Sequence, residues 1–185
     1  MKRLAAVAAL ALALPAGCSS NKPLHGTAFS PAQPEPRFRL TDQSGSPYLL
    51  ARESVGFTAL YFGFTHCKDV CPQTLQKLGK ARDQAGLRSE QIEIVMVTVD
   101  PARDTPPVLR RFFAAIGVRA VGLTGTPAQM RSVYRAYGVA VTPEKNDIGH
   151  SDYIYVLDRD GRLRELLSSR TPINDIAQDL QTLVE

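Results

Sequence analysis

Cysteine and histidine are scarce in this sequence, three of each among 185 residues. Clustered charge is lacking too: the formal net charge is +4, and Lys and Arg are dispersed with no basic block. Lys2 and Arg3 fall in an expected leader; without them 20 basic residues face 18 acidic ones, a balance of +2. That excess is too small to argue for nucleic acid or an anionic membrane surface as a partner. No internal repeat is visible. What is present is ordinary for a globular chain, and 185 residues suit one domain with a full core rather than two.

The first residues read as a targeting signal. Lys2-Arg3 precede the uncharged Ala/Leu/Val run from Leu4 to Leu14, and small residues follow at Ala16-Gly17. The run is too short to span a bilayer comfortably. Cys18 after Leu14-Pro15-Ala16-Gly17 resembles the lipobox of a bacterial lipoprotein signal, although Pro15 stands where the box prefers Leu. Residues 1–17 are therefore expected to be a signal peptide, with Cys18 lipidated after cleavage. The alternative is a plain secretory signal cleaved at Ala16. Either reading places the folded domain outside the cytosol, where a cysteine pair oxidises unless something keeps it reduced. The expected location is the bacterial cell envelope, facing the periplasm and lipid-anchored to the membrane, or else soluble in the periplasm.

Residues 18–36 are proline-rich with few large apolar side chains, a composition that reads as an extended tether. His25, inside it, reads as a solvated linker residue. The domain is expected over 37–185. Phe38-Arg39-Leu40 and Tyr48-Leu49-Leu50 flank a Gly-containing turn, as in an N-terminal hairpin. Phe57 to Phe64 is a continuous apolar and aromatic run, and Ile92 to Val99 is a second; both read as strands covered on two faces. Between them, Pro72 to Ala85 reads as a helix. Thr105-Pro106-Pro107 and Thr126-Pro127 start two more helices, ended by Gly117 and Gly138. Val121 to Leu123 is a short strand. Tyr153–Leu157 and Leu163–Leu167 flank Asp158-Arg159-Asp160-Gly161, a hairpin signal, and a helix runs from Pro172 to about Val184. This alternation predicts an α/β fold, a thioredoxin-like mixed sheet flanked by helices.

Cys67 and Cys71 lie where the first long strand gives way to a helix. Thiols at i and i+4 on an opening turn share a helix face, and free N–H groups there favour the thiolate. A structural disulfide across so short a loop removes little unfolded-state entropy, about 2 kcal/mol on the loop-closure model. Reactivity is the better explanation. Of the domain's two histidines, His66 is expected to turn away from the cysteine face. His150 precedes the Tyr153 strand, whose entering loop packs beside the dithiol in a thioredoxin-like fold. Two thiolates and an imidazole make a soft, three-coordinate set, which favours copper over a four-coordinate structural zinc.

These motifs, read together, resemble the Sco/SenC family of copper-binding, membrane-tethered thioredoxin-like proteins. The resemblance runs from about Phe38 to the C-terminus. It is carried by Tyr61-Phe62-Gly63-Phe64-Thr65-His66-Cys67 with Asp69, Val70, Cys71 and Pro72; by Val97 to Pro101 through Arg103-Asp104-Thr105-Pro106; by Gly122 to Thr126; and by His150-Ser151. It implies a copper chaperone that binds one copper, Cu(I) or Cu(II), through Cys67, Cys71 and His150. It also implies a role in assembling the CuA centre of cytochrome c oxidase, with apo-subunit II as partner. Other periplasmic copper carriers or thiol reductants are further expected partners. Asp100 resembles the family's acidic residue near the site, where it orients a ligand or meets a partner; otherwise it caps the turn before Pro101. Two departures stand out: Lys68 where the family usually has proline, and a shorter segment before His150, Asn146 to Gly149. A rival function uses Cys67 and Cys71 as the redox-active pair of a thiol-disulfide reductase that keeps the target's cysteines reduced. A third is peroxide reduction through a sulfenate.

Overall fold

The computed structural model describes residues 22–50, 56–143 and 148–184. Its ten strands are β1 (Thr27–Pro34), β2 (Arg39–Asp42), β3 (Pro47–Leu49), β4 (Phe57–Gly63), β5 (Ile92–Thr98), β6 (Val121–Thr124), β7 (Val141–Pro143), β8 (Ile148–His150), β9 (Tyr153–Leu157) and β10 (Arg162–Ser168). The helices are α1 (Val70–Gln84), α2 (Pro106–Ile116), α3 (Pro127–Ala136) and α4 (Ile173–Val184). Eight strands form one sheet in the order β1-β10-β9-β4-β5-β6-β2-β3. The β4, β5 and β6 strands run parallel, and the outer pairings are antiparallel. This is the mixed sheet expected from the sequence, including the β2–β3 hairpin at one edge.

The centre of the sheet explains the uniform apolar runs. Every residue of β4 is buried, with Leu60, Tyr61 and Phe62 fully enclosed, and β5 is nearly as covered. Helix α1 packs on α4, and α2 on β6. Helix ends follow the local chemistry. Thr126 and Gln129 form a reciprocal capping box on α3, and Gly117 closes α2 in the left-handed conformation at φ 68°.

The expected tether over residues 18–36 needs correction in its described part. Thr27–Pro34 form β1 on the sheet edge, antiparallel to β10, with a register shift between Ala28 and Gln33. Its side chains remain largely exposed, as the composition requires. The pairing comes instead from backbone groups, and an edge strand tolerates Pro31 and Pro34. Composition reports side-chain burial and is silent on such pairing.

His25 is likewise no solvated linker residue. Its Nδ1 lies 2.8 Å from Asp179 Oδ1, and its backbone N–H donates to Asp179 Oδ2 at 3.0 Å. Asp175 Oδ1 lies 3.8 Å from Nε2. The Gly26 N–H donates to Glu165 Oε1 at 2.8 Å. A Cβ at position 26 would sit 2.7 Å from both Glu165 Oε1 and the Leu166 carbonyl, so only glycine permits this approach. Asp179 and Glu165 are both fully buried. Burial, then hydrogen bonding to Asp179, pushes the Glu165 carboxyl up to about 8. A proton on Glu165 also gives its otherwise unpartnered Oε2 a hydrogen bond to make. The His25 imidazole is raised as well, chiefly by its hydrogen bond to Asp179.

Both groups bind protons more tightly folded than unfolded, so both contribute stability at low pH that is lost as pH rises through the folded values. Stability to urea should therefore fall between about pH 5 and pH 9. Glu165→Gln should flatten that decline by on the order of 1–3 kcal/mol. A variant with the wild-type pH profile would exclude a proton held on Glu165.

A candidate metal and dithiol site

Strand β4 ends at Gly63, and a short turn leads to α1. A Cβ at Gly63 would meet Tyr61 Cε1 at 2.7 Å and Cys71 Sγ at 3.3 Å, so glycine lets the strand end against the thiol. The helix begins at Val70, two residues earlier than the sequence suggests, which puts Cys71 in its first turn and Cys67 just before it. Asp69, at the N-cap, makes no side-chain cap bond. The Cys67 sulfur takes that role and accepts the Cys71 N–H at 3.3 Å.

The two thiols, both free, are unequal. Cys67 is half-buried and Cys71 fully buried. A hydrogen bond from the Cys71 thiol lowers Cys67 to about 6, against the opposing effect of burial; N–H groups of Cys71, Asp69 and Val70 add to the lowering. Cys71 moves the other way, raised by its hydrogen bond to Cys67 and by burial. Cys67 is thus the thiolate and Cys71 the thiol. Lys68 is exposed and is not among the groups that depress Cys67.

His150 reaches Cys71, though from a strand rather than the polar loop the sequence suggests. It ends β8, which forms a two-stranded sheet with β7 and pairs His150 with Val141. Its Nε2 lies 3.8 Å from Cys71 Sγ. Its Nδ1 lies 2.9 Å from the Ser151 carbonyl, which can only accept, so Nδ1 donates there and Nε2 is the ring atom turned to the sulfur. Tyr61 and Phe64 hold the ring edge-on, with centroids at 6.1 and 6.0 Å.

Phe64, Cys67, Val70, Ile148, His150 and Asp152 line a cleft of about 210 Å³. An ion bound at about 2.3 Å from sulfur and about 2.0 Å from nitrogen, with an angle near 120°, spans roughly the Sγ–Nε2 separation found here. The donor chemistry fits a soft metal, and the Cys71–His150 separation fits two of its ligands; the donor atoms of Cys67, Cys71 and His150 do not all lie within 4.8 Å of one another, so a third bond requires a small movement of the site.

Asp100 falls elsewhere. Its carboxylate pairs with Arg103, its N–H donates to Thr98 Oγ1 at 2.9 Å, and its carbonyl accepts the N–H groups of Arg103 and Asp104. It groups with His66 and Asp104 and does not line the thiol cleft. This arrangement favours the turn-forming reading. His66 is half-exposed, with Nδ1 at 3.1 Å from Thr65 Oγ1, and also lies outside the cleft lining. Cys18 lies outside the described residues.

Sequence reasoning missed two residues beside the thiols. The Tyr61 hydroxyl lies 3.8 Å from Cys71 Sγ and 3.3 Å from Asp152 Oδ1. Tyr61 looked like one more aromatic in an apolar run, and Asp152 like a polar residue at a strand entrance. Neither carries a spacing signal.

The SCO1/SenC family model matches residues 27–185. The mitochondrial protein SCO2 of Saccharomyces cerevisiae is 31% identical over 159 residues, covering 80% of this chain and 53% of that protein. The chain thus spans about half the length of this relative. ScoI of Bradyrhizobium japonicum, solved with copper bound, superposes with a TM-score of 0.71 at 30% identity, covering 80% of this chain and 97% of that one. BsSco, a member of the Sco family of cytochrome c oxidase assembly proteins, shares the fold at 21% identity and a TM-score of 0.69, covering 83% of this chain and 94% of that one.

Proposed function

The chain belongs to the SCO1/SenC family, and from that premise we propose that it is a copper chaperone. It binds one copper ion through Cys67, Cys71 and His150 and supports assembly of the CuA centre of cytochrome c oxidase, with apo-subunit II as recipient. The observation that carries this reading is Nε2 of His150 at 3.8 Å from Cys71 Sγ, in a cleft shared with Cys67. Copper is cargo here. A site with three protein ligands leaves room for a recipient thiolate to enter before the donor ligands leave. Cys18 carries a lipid in this reading, which holds the domain at the periplasmic face of the cell envelope.

The thiol asymmetry favours a second reading, reduction of a target disulfide. The Cys67 thiolate attacks one target sulfur and expels the other as a thiolate, which takes up a proton. Cys71 then loses its proton and attacks Cys67 Sγ, releasing the second target thiol. The target gains two electrons and two protons, and the Cys67–Cys71 pair becomes a disulfide.

Titration with Cu(I) and Cu(II) separates the two. His150→Ala should weaken copper binding well beyond the 10–100-fold that outer partners of a metal site carry and change the visible spectrum of the Cu(II) form, while dithiol exchange continues. Equal affinity and an unchanged spectrum in His150→Ala would sink the three-ligand site. A mature N-terminus without lipid, read by mass spectrometry, would overturn the anchor.

A further inference from the structure

Asp104 is fully buried, yet it belongs to neither the thiol cleft nor the apolar core. Its Oδ2 accepts the Thr65 N–H at 3.0 Å and the Thr98 hydroxyl at 2.6 Å. Its Oδ1 accepts the Thr65 hydroxyl at 2.5 Å. That hydroxyl has one proton, spent on Asp104, so its oxygen is left to accept from His66 Nδ1 at 3.1 Å. A chain of hydrogen bonds therefore runs from Asp104 through Thr65 to His66, the residue before Cys67.

All these bonds bear on one turn. Thr65 and His66 connect β4 to the segment that carries Cys67, and the Cys67 N–H closes this turn on the Phe64 carbonyl at 3.4 Å. Thr98 ends β5, whose partner in the sheet is Gly63. One carboxylate thus ties the turn to the ends of two central strands. A buried carboxylate costs several kcal/mol unless it is well hydrogen-bonded, and here three donors converge on it. An amide in its place would bring an NH₂ group against N–H and O–H donors.

We propose that Asp104 is the positioning residue of the Cys67 turn, acting through Thr65 to hold the Cys67 sulfur over the N–H groups that open α1. The inference rests on the reading of Cys67 and Cys71 as the working pair, and it concerns the apo protein only. Asp104 touches neither thiol. Its effect passes through the backbone of residues 65–67, where a small displacement lengthens the 3.3 Å contact between Cys67 Sγ and the Cys71 N–H. Charge-assisted hydrogen bonds of this kind are sensitive to length and angle.

The test is the equilibrium of the dithiol with glutathione, measured without copper in wild type, Asp104→Asn and Thr65→Val. A Cys67 thiolate less well held destabilises the reduced pair relative to its disulfide. The oxidation constant of Asp104→Asn should then rise about tenfold, equivalent to about 30 mV for two electrons. Thr65→Val, which loses the hydroxyl and keeps the backbone N–H, should give a smaller shift in the same direction, while Thr65→Ser retains the wild-type constant. If Asp104→Asn folds with a lowered Tm and an unchanged constant, the residue is structural and the proposal is overturned. Where Asp104→Asn fails to fold, Thr65→Val decides, and a wild-type constant there overturns it equally. Copper binding enters none of these measurements, so failure of the chaperone reading leaves a distinct signature, loss of metal affinity with the redox constants intact.

Discussion

Iodoacetamide should modify Cys67 more than 100-fold faster than Cys71 at pH 7 in the reduced, native protein. The thiolate is the nucleophile, so the rate follows its fraction and its accessibility. Cys67, held down to about 6, is mostly ionised at that pH and half-exposed. Cys71 is fully enclosed and its thiol is pushed up, by the bond to Cys67 and by burial. The rate at Cys67 should rise with pH through a midpoint near 6 and then level. Peptide mapping of the alkylated protein, quenched at intervals, reads both sites at once. Comparable labelling of the two cysteines, or a Cys67 midpoint near the ordinary thiol value of about 8.5, would show that the N–H groups at the start of α1 do not stabilise that sulfur. Replacing Cys71 with alanine should lift the Cys67 midpoint, because it removes the thiol that is the largest stabilising donor to that sulfur.

On the proposed reading, the same asymmetry would shape metal uptake. Copper bound by two thiolates requires both sulfurs to be deprotonated. At pH 7 Cys67 has already lost its proton, so uptake expels chiefly the proton of Cys71. The Ser151 carbonyl holds His150 Nδ1 as a donor, which leaves Nε2 as the ring atom turned to the sulfur. An attacking thiolate backed by a buried resolving thiol is equally the arrangement that disulfide exchange needs. On the proposed reading, metal binding and exchange would draw on one constellation, and His150 is the residue whose replacement separates them.

Much of this was legible in the sequence because it depends on local chemistry. The apolar runs of β4 and β5 announce a sheet covered on both faces, and the Thr–Pro starts and glycine stops of α2 and α3 announce their helices. Cys67 and Cys71 were placed by spacing, and His150 by its nearness to the β9 strand. What escaped depends on partners distant in sequence. β1 is held by backbone pairing with β10 and by His25 on Asp179, 154 positions away. Asp104 reads as part of a polar turn until Thr65 is brought to it across 39 positions. Tyr61 meets Asp152 across 91. Resemblance leaves Asp100 either near the site or capping the turn before Pro101, and the engagement of its carboxylate by Arg103 three residues on carries no signal in the sequence. No window of composition or periodicity registers such contacts.

Cys67→Ser and Cys71→Ser should each abolish Cu(I) binding at micromolar protein when measured by competition with a chromogenic chelator. Serine keeps the volume nearly unchanged but replaces a soft thiolate by a hydroxyl that stays protonated near neutrality, and Cu(I) selects soft sulfur donors. Losing a direct ligand should exceed the 10–100-fold that outer partners carry, and the remaining sulfur and imidazole form a two-donor set. The two variants should differ in what they retain. Cys71→Ser preserves the Cys67 turn and its exposed thiolate, so it should trap a target disulfide as a stable mixed disulfide that lacks a resolving thiol. Cys67→Ser leaves only the buried thiol and should trap nothing. Stoichiometric Cu(I) binding by either variant would mean that the metal sits elsewhere, and trapping by Cys67→Ser would reverse the assigned order of attack. If both variants lose copper while His150→Ala keeps it at full affinity, the site is a two-thiolate one and the imidazole at 3.8 Å serves the Cys71 proton instead.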